Sequence, residues 1–187
     1  MIVSALAFSV MSLFVKLAGD SGIPVLEIVA ARSVVSLIMS YIVLQREGVS
    51  LWGQRKVLLF ARGLAGFIAL NCVFYALTHL PLAEATVLQY LHPMFTAILA
   101  FIFLKERFSI ATLTCILISF IGLLFVVRPE ISYFALPQPL DETAVLAALF
   151  GAFGSAVAYV LVRSLGQTEH PLVIVFYFPL VSLPFSV

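Results

Sequence analysis

The sequence predicts an all-α polytopic membrane protein, a helical bundle of inverted five-helix repeats. Three observations support this prediction. Hydrophobic residues make up 63% of the 187 residues, charged residues make up only 10%, and the mean hydropathy is +1.19. Seven apolar segments have about the length of a membrane crossing, and a ten-residue pattern recurs in the second half of the chain. About a quarter of the residues in soluble domains are charged, so the composition indicates a membrane protein.

Each apolar segment has roughly the 20 residues that a helix needs to cross the hydrocarbon layer. The first one lacks a preceding Lys or Arg, which argues against a signal peptide and for a membrane helix. No segment shows the alternation of a membrane barrel strand, so all are predicted to be helical. The predicted helices are about 1–18, 25–44, 57–77, 82–104, 110–127, 143–162 and 171–187.

Basic residues are unevenly distributed among the connections between these helices. The odd-numbered connections carry only Arg128, with Lys16 close by. Since cytoplasmic loops are enriched in Lys and Arg, the even-numbered connections and the N-terminus are predicted to be cytoplasmic, in a plasma (inner) membrane. The basic residues of the even-numbered connections are Arg46, Arg55, Lys56, Lys105, Arg107 and Arg163.

The recurring pattern is VKLAGDSGIP at residues 15–24, which returns 147 positions later as VRSLGQTEHP at residues 162–171. Both copies follow one apolar segment and precede another. Five predicted crossings separate them, an odd number, so the two copies must have opposite orientations in the membrane. Inverted repeats of this kind build many secondary transporters.

A further pattern in helices two to five identifies a family. It consists of Arg32, Tyr75-Ala76-Leu77, Pro93, Glu106 and Gly122, together with PLAEATVLQYLHPMFTAILAFIFLKERFS at residues 81–109. This pattern resembles the EamA domain of the drug/metabolite transporter superfamily. The resemblance implies ten helices in two inverted five-helix repeats around a central cavity, of which about seven are present here.

The resemblance also divides the chain. Residues 1–128 correspond to a first EamA repeat of five helices. Residues 129–142, with Pro129, Pro137 and Pro139, are predicted to form an external linker. Residues 143–187 resemble the first two helices of a second repeat that is incomplete, so the sequence is expected to be part of a longer protein.

The function implied by the resemblance is secondary transport of small organic metabolites by alternating access. The expected partners are a small organic solute and the lipid bilayer. Whether the protein also forms a homodimer is left open. The net charge of +1 argues against a nucleic-acid partner. No catalytic, phosphate-binding or metal-binding motif occurs, so neither enzymatic activity nor a cofactor is predicted. Two alternatives are a non-transporting membrane interaction or structural protein and a membrane-embedded enzyme.

Ionisable residues within membrane helices are costly and usually face a bundle interior or a wet cavity. Arg32 in helix two is therefore predicted to bind an anionic group of a substrate or to pair with a carboxylate between helices. Lys16 opposes the charge bias and matches Arg163 in the repeat. It is a candidate for the cavity or a gate, although a lysine near a helix end can also extend to water.

Helix four carries the other group of candidates. Gln89 and His92 share a helix face and are predicted to line the cavity, with Glu84 and His92 as candidates for proton coupling. The alternatives place Glu84 at the outer interface and His92 in a hydrogen bond to another helix. Pro93 is predicted to kink the helix and to free a carbonyl near residue 89.

Helix three has a polar stripe of Asn71 and Tyr75, four residues apart, that is predicted to face the same cavity. Hydrogen bonding of Asn71 to another helix is the alternative. Arg62 is interpreted as a residue that extends to the cytoplasmic interface. Tyr159 could reach the cavity, but packing is the commoner role for an aromatic residue.

Overall fold

The fold is helical throughout the part of the chain that the structure describes. The computed structural model describes residues 2–104, 110–127 and 141–186. The fold class predicted from the sequence is thus confirmed as an all-α polytopic membrane protein. The helices are α1 (Ile2–Asp20), α2 (Val25–Glu47), α3 (Lys56–His79), α4 (Leu82–Gln89), α5 (His92–Leu104), α6 (Ile110–Val127), α7 (Glu142–Leu165) and α8 (Pro171–Ser186).

The seven predicted crossings correspond to these helices, with one difference. The fourth predicted helix is divided into α4 and α5 at Tyr90 and Leu91. By length and composition, four spans of the described residues can cross a membrane: α2, α3, α7 and the span Leu82–Phe103, while α8 is a shorter apolar helix. The predicted linker at residues 129–142 lies outside the described residues up to residue 140, as do the connection at 105–109 and Glu106.

Local chemistry explains several helix ends. Gly48 ends α2 with φ 63°, a left-handed conformation that glycine adopts without steric cost. Asp141 begins α7 by accepting a hydrogen bond from the backbone N–H of Thr143, at 3.0 Å, and another from its hydroxyl. These bonds from Thr143 lower the pKa of Asp141. Pro171 occupies the first position of α8. An N–H group at this position has no acceptor within the helix, so proline causes no loss of a hydrogen bond.

The closest helix pair is α3 and α7, which pack through small residues. A Cβ atom at Gly151 would lie 2.8 Å from Cγ2 and 3.0 Å from the backbone N of Val73. One turn on, a Cβ atom at Gly154 would lie 3.0 Å from that of Ala69. Small residues permit such close approach in membranes, where packing drives association. Gly151 and Gly154 therefore form the face of α7 that packs on α3.

Two larger apolar clusters hold the helices together at different depths, and a smaller one around Leu99, Ala156 and Val160 joins α5 to α7. The first joins the C-terminal part of α3 to α1, α2, α4 and the N-terminal part of α7, with Phe74 and Leu88 fully buried. The second joins the opposite ends of α2, α3 and α7 to α8 around Leu44, Leu59 and Leu165. The middle parts of α3 and α7 lie between the clusters.

The connections alternate between two sides of the bundle. Lys16 at the end of α1 donates hydrogen bonds to the carbonyls of Thr78 and Leu80 at the end of α3. On the other side, Glu169 between α7 and α8 accepts a hydrogen bond from the backbone N–H of Arg55 before α3. The first and third connections thus lie together, and so do the second and sixth.

Replacement of Gly151 tests the helix contact. Gly151→Ala is expected to lower the thermal unfolding midpoint, because the new methyl group overpacks against the backbone of α3 at a cost of about 1–3 kcal/mol. The matched control is Gly122→Ala in α6, where no heavy atom of the described residues lies within 4 Å. There alanine is expected to be neutral or slightly stabilising. Equal midpoints for the two variants would contradict the packing account.

Candidate functional site

A cavity of about 340 Å³ lies between the two apolar clusters, where α3 and α7 face each other. Residues of the first predicted repeat and of the second both contribute to its wall. The lining residues are Arg32, Arg62, Gly66, Ala69, Leu70, Val73, Gln89, Ser155, Ala158, Tyr159, Val162 and Phe178. Its size lies at the lower end of the range of small-molecule sites.

The break between α4 and α5 borders this cavity through Gln89. Pro93 has no N–H, and the carbonyl oxygen of Gln89 instead accepts a hydrogen bond from Nδ1 of His92 at 3.0 Å. Pro93 therefore frees the carbonyl of Gln89 as predicted, and the side chain of His92 forms a hydrogen bond to it. Since a carbonyl only accepts, the hydrogen of a neutral His92 lies on Nδ1 and its Nε2 keeps a lone pair.

Arg32 reaches the cavity from α2, as the sequence suggested. Its guanidinium carbon lies 5.5 Å from the centre of the Phe74 ring, a cation–π contact. Among the described residues, no carboxylate lies within ion-pair distance of Arg32. The geometry therefore places the charge in the cavity wall against an aromatic ring.

Arg62 lines the same cavity, and the expectation that it extends to the interface is wrong. Its Nε and Nη1 atoms are buried and have no hydrogen-bond partner among the described residues. Its guanidinium carbon lies 5.1 Å from the centre of the Phe178 ring of α8. The side chain is held inside because α8 closes over this part of α3, a contact between distant segments that residue spacing does not predict.

His92 lies one step behind the cavity wall. Its ring stacks on that of Tyr159, with centroids 5.3 Å apart and planes inclined by 19°. Tyr159 itself lines the cavity. The sequence favoured a packing role for this residue over a position in the cavity wall. Glu84 in α4 does not line the cavity, but its Oε2 atom is buried and has no hydrogen-bond partner in the described part of the chain.

Asn71 and Tyr75 are not among the described residues that line this cavity. Asn71 is nine residues beyond Arg62, about 180° around the helix, so the two side chains lie on opposite sides of α3. Its Nδ2 donates to the carbonyl of Phe67 in its own helix, at 2.9 Å. Tyr75 stacks on His79, with centroids 4.0 Å apart. The structure does not bring this polar stripe to the cavity.

Lys16 caps the end of α3 instead of lining the cavity. Its Nζ lies 2.9 Å from the carbonyl oxygen of Thr78, 3.1 Å from that of Leu80 and 3.8 Å from Oδ1 of Asp20. The last carbonyls of a helix lack intrahelical donors and carry partial negative charge, so a cation stabilises them. Lys16 thereby fastens α1 to α3.

Three side chains of the cavity wall were not predicted, or were not favoured, from the sequence: Arg62, Tyr159 and Phe178. One signal was available for the first. Gly66, Ala69 and Leu70 follow Arg62 at helical spacing, which marks a face of α3 with small residues beside a charge. Nothing in the local sequence pairs that face with α8. Among the described residues, no group of three His, Cys, Asp or Glu side chains is placed to hold a metal ion.

A discontinuous helix beside a polar cavity within a bundle of apolar helices is the architecture of many membrane transporters. The comparison of sequences agrees with this class. Residues 1–128 match the model of the EamA-like transporter family, and the chain belongs to that family. No solved structure matches the chain.

Two relatives illustrate the family. The chain is 35% identical over 187 residues to the pseudopaline exporter CntI of Pseudomonas aeruginosa, an alignment that covers 98% of this chain and 63% of that protein. It is 32% identical over 192 residues to solute carrier family 35 member G1 of Mus musculus, and this alignment covers 98% of this chain and 51% of that protein. The chain thus spans less than two thirds of the length of either relative.

Lys16→Met is expected to destabilise the protein, because removal of the ammonium group leaves two partly buried carbonyls without their charged donor. Hydrogen bonds to charged groups contribute about 1.5–3 kcal/mol each, which sets the expected scale. Thermal unfolding in detergent measures the change. Lys56→Met is the matched control, since Lys56 contacts only the exposed ring of Trp52 among the described residues. An unchanged midpoint for Lys16→Met would show that the cap does not stabilise the fold.

Proposed function

We propose that this chain forms part of a secondary transporter that moves small organic solutes across the membrane by alternating access. The observation that carries the proposal is the cavity. It lies where the two predicted repeats meet, with Arg32, Arg62 and Gln89 from the first and Ser155 and Tyr159 from the second. Transporters of inverted repeats bind their solutes at such an interface, next to broken helices, and rock one repeat against the other.

The contact between α2 and α8 supports the inverted arrangement. In the predicted inverted repeats, α8 is the equivalent of α2. If two equivalent helices meet on the pseudo-two-fold axis, residues in contact there differ in number by about the repeat offset. The hydroxyls of Ser33 and Ser182 share a buried hydrogen bond of 2.8 Å, and these residues are 149 positions apart. That separation is within two residues of the offset of 147 read from the sequence repeat.

The proposed orientation follows from charge. The second and sixth connections lie together on one side, as the contact of Glu169 with Arg55 indicates. Because these connections carry most of the basic residues, we assign that side to the cytoplasm, together with the N-terminus. We further propose that the protein lies in the plasma (inner) membrane, with residues 129–142 as the external link between the two repeats.

For coupling, we propose protons, carried by His92 and Glu84. Nε2 of His92 keeps its lone pair beside the cavity because Nδ1 is bound to Gln89. Glu84 presents a buried carboxyl oxygen without a partner among the described residues. A proton on His92 changes the charge at the helix break, which is where the cavity wall is least constrained by backbone hydrogen bonds. A proton on Glu84 changes the charge at the start of α4. Exchange of solutes is the alternative that the same assay tests.

Proteoliposomes with the complete gene product test transport. They are loaded with a defined mixture of amino acids, sugars, organic acids and polyamines, and efflux is measured by mass spectrometry with and without a pH gradient. Arg32→Ala and His92→Ala are expected to lower efflux at least about tenfold. Arg32→Ala removes a charged hydrogen bond to the solute, and His92→Ala removes the proposed proton carrier. Normal efflux in both variants would contradict the site, and no efflux above empty liposomes would contradict transport.

Thiol labelling tests alternating access. In a Cys72→Ser, Cys115→Ser background, Ser155→Cys is expected to react with a membrane-impermeant maleimide from either side of the membrane, because the cavity opens to each side in turn. Ser21→Cys and Ser50→Cys serve as sidedness standards for the external and cytoplasmic connections. Phe150→Cys on the exposed apolar face of the same helix is the control that should not react. Labelling of Ser155→Cys from one side alone would contradict alternating access.

A further inference from the structure

The charge of the cavity wall specifies the kind of solute that fits it. Arg32 and Arg62 both line the cavity, and no Asp or Glu lies among the described residues of its wall. Within the described part of the chain, neither arginine has a carboxylate at ion-pair distance. The remaining polar lining residues, Gln89, Ser155 and Tyr159, are neutral. The wall therefore carries two positive charges that the described residues do not compensate.

The aromatic contacts leave the arginines able to bind an anion. Each guanidinium lies near a ring, Arg32 near Phe74 and Arg62 near Phe178. A ring attracts the cation electrostatically but accepts no in-plane hydrogen bond, so the N–H groups remain available as donors. For Arg62 this is directly visible, since Nε and Nη1 are buried without a hydrogen-bond partner among the described residues.

Buried charged donors without acceptors are costly, about 1–3 kcal/mol or more for each group. An apolar side chain of similar length would fill the same space without that cost, as replacements of buried charges by apolar residues in other proteins show. The buried donors of Arg62 are thus better explained by a ligand than by stability. Arg32 brings a second uncompensated charge to the same wall. The ligand must be anionic, because only an oxyanion accepts two N–H bonds from a guanidinium fork and neutralises its charge.

We propose that the cavity binds a small organic dianion, whose two acidic groups pair with Arg32 and Arg62. This inference rests on the proposed transport function and names its class of solute. Dicarboxylates and phosphate monoesters share the required chemistry. The cavity of about 340 Å³ limits the ligand to a small molecule, with Gln89 and Tyr159 beside the break in the helix as neutral contacts.

Binding to the complete gene product in nanodiscs tests the inference, by titration calorimetry at neutral pH. The probes are succinate and glycerol 3-phosphate, with succinamide and glycerol as their uncharged counterparts. The dianions are expected to bind and the uncharged compounds to bind at least about tenfold more weakly. Tighter binding of succinate identifies a carboxylate ligand, and tighter binding of glycerol 3-phosphate identifies a phosphate ester. Equal binding of charged and uncharged probes would overturn the proposal.

Variants connect the binding to the arginines. Arg32→Gln and Arg62→Gln are each expected to weaken dianion binding by about 10- to 100-fold, the effect of losing a charged hydrogen-bond pair. Arg62→Lys keeps the charge without the fork and should fall between wild type and Arg62→Gln. Arg46→Gln at the exposed end of α2 is the charge-matched control and should bind like wild type. Normal affinity in both glutamine variants would overturn the proposal.

Stability separates a ligand-binding role of Arg62 from a structural one. Arg62→Met is expected to raise the thermal unfolding midpoint while it abolishes dianion binding, because methionine removes two buried donors that lack partners. A lower midpoint together with lost binding would overturn the assignment of Arg62 to ligand binding.

The flux assay distinguishes this inference from the proposed function. If the protein exports a neutral or cationic solute and the glutamine variants export it equally well, only the proposal of a dianionic solute is refuted. If no solute is exported, the proposed transport function is refuted.

Discussion

The close contact between α3 and α7 is the packing constraint on which the rest of the structure depends. Gly151 and Gly154 let the backbones approach so closely that a side chain at either position would touch Val73 or Ala69. In a membrane, water exclusion gives no driving force for association, so this van der Waals contact must supply much of it. The contact also sets where the helices diverge. The cavity opens along the same two helices, with Ser155 and Tyr159 of α7 and Arg62 and Gly66 of α3 in its wall.

Charges in the cavity depend on that frame. Arg62 lies on α3 and is covered by Phe178 of α8, while Arg32 approaches from α2 and rests on Phe74 of α3. Neither position would be tolerated facing lipid, where a charged side chain costs several kcal/mol. The helices that pack around α3 therefore convert two unfavourable residues into a polar site. Their partners are aromatic rings, which attract the charges without accepting in-plane hydrogen bonds from the guanidinium groups.

Not all charged residues near the membrane serve the cavity. Lys16 neutralises the free carbonyls at the end of α3, and Glu169 accepts from the N–H of Arg55 before the start of the same helix. Both ends of α3 are thus fixed by ionic side chains from other segments, of the sign that the helix dipole favours at each end. These contacts hold α1 and the connection between α7 and α8 against the central helix on opposite sides of the membrane.

The sequence by itself determined the helical class, the position of nearly every predicted crossing and the effect of Pro93 on the carbonyl of Gln89. All of these follow from hydropathy, helical spacing and backbone chemistry within one segment. Only the tertiary structure decided which polar residues meet. Arg62 enters the cavity and Asn71 turns away, because α7 and α8 pack on one side of α3, and local spacing cannot show which face a distant helix covers. For the same reason, Lys16 proved to be a cap, since its acceptors lie 62 and 64 residues away.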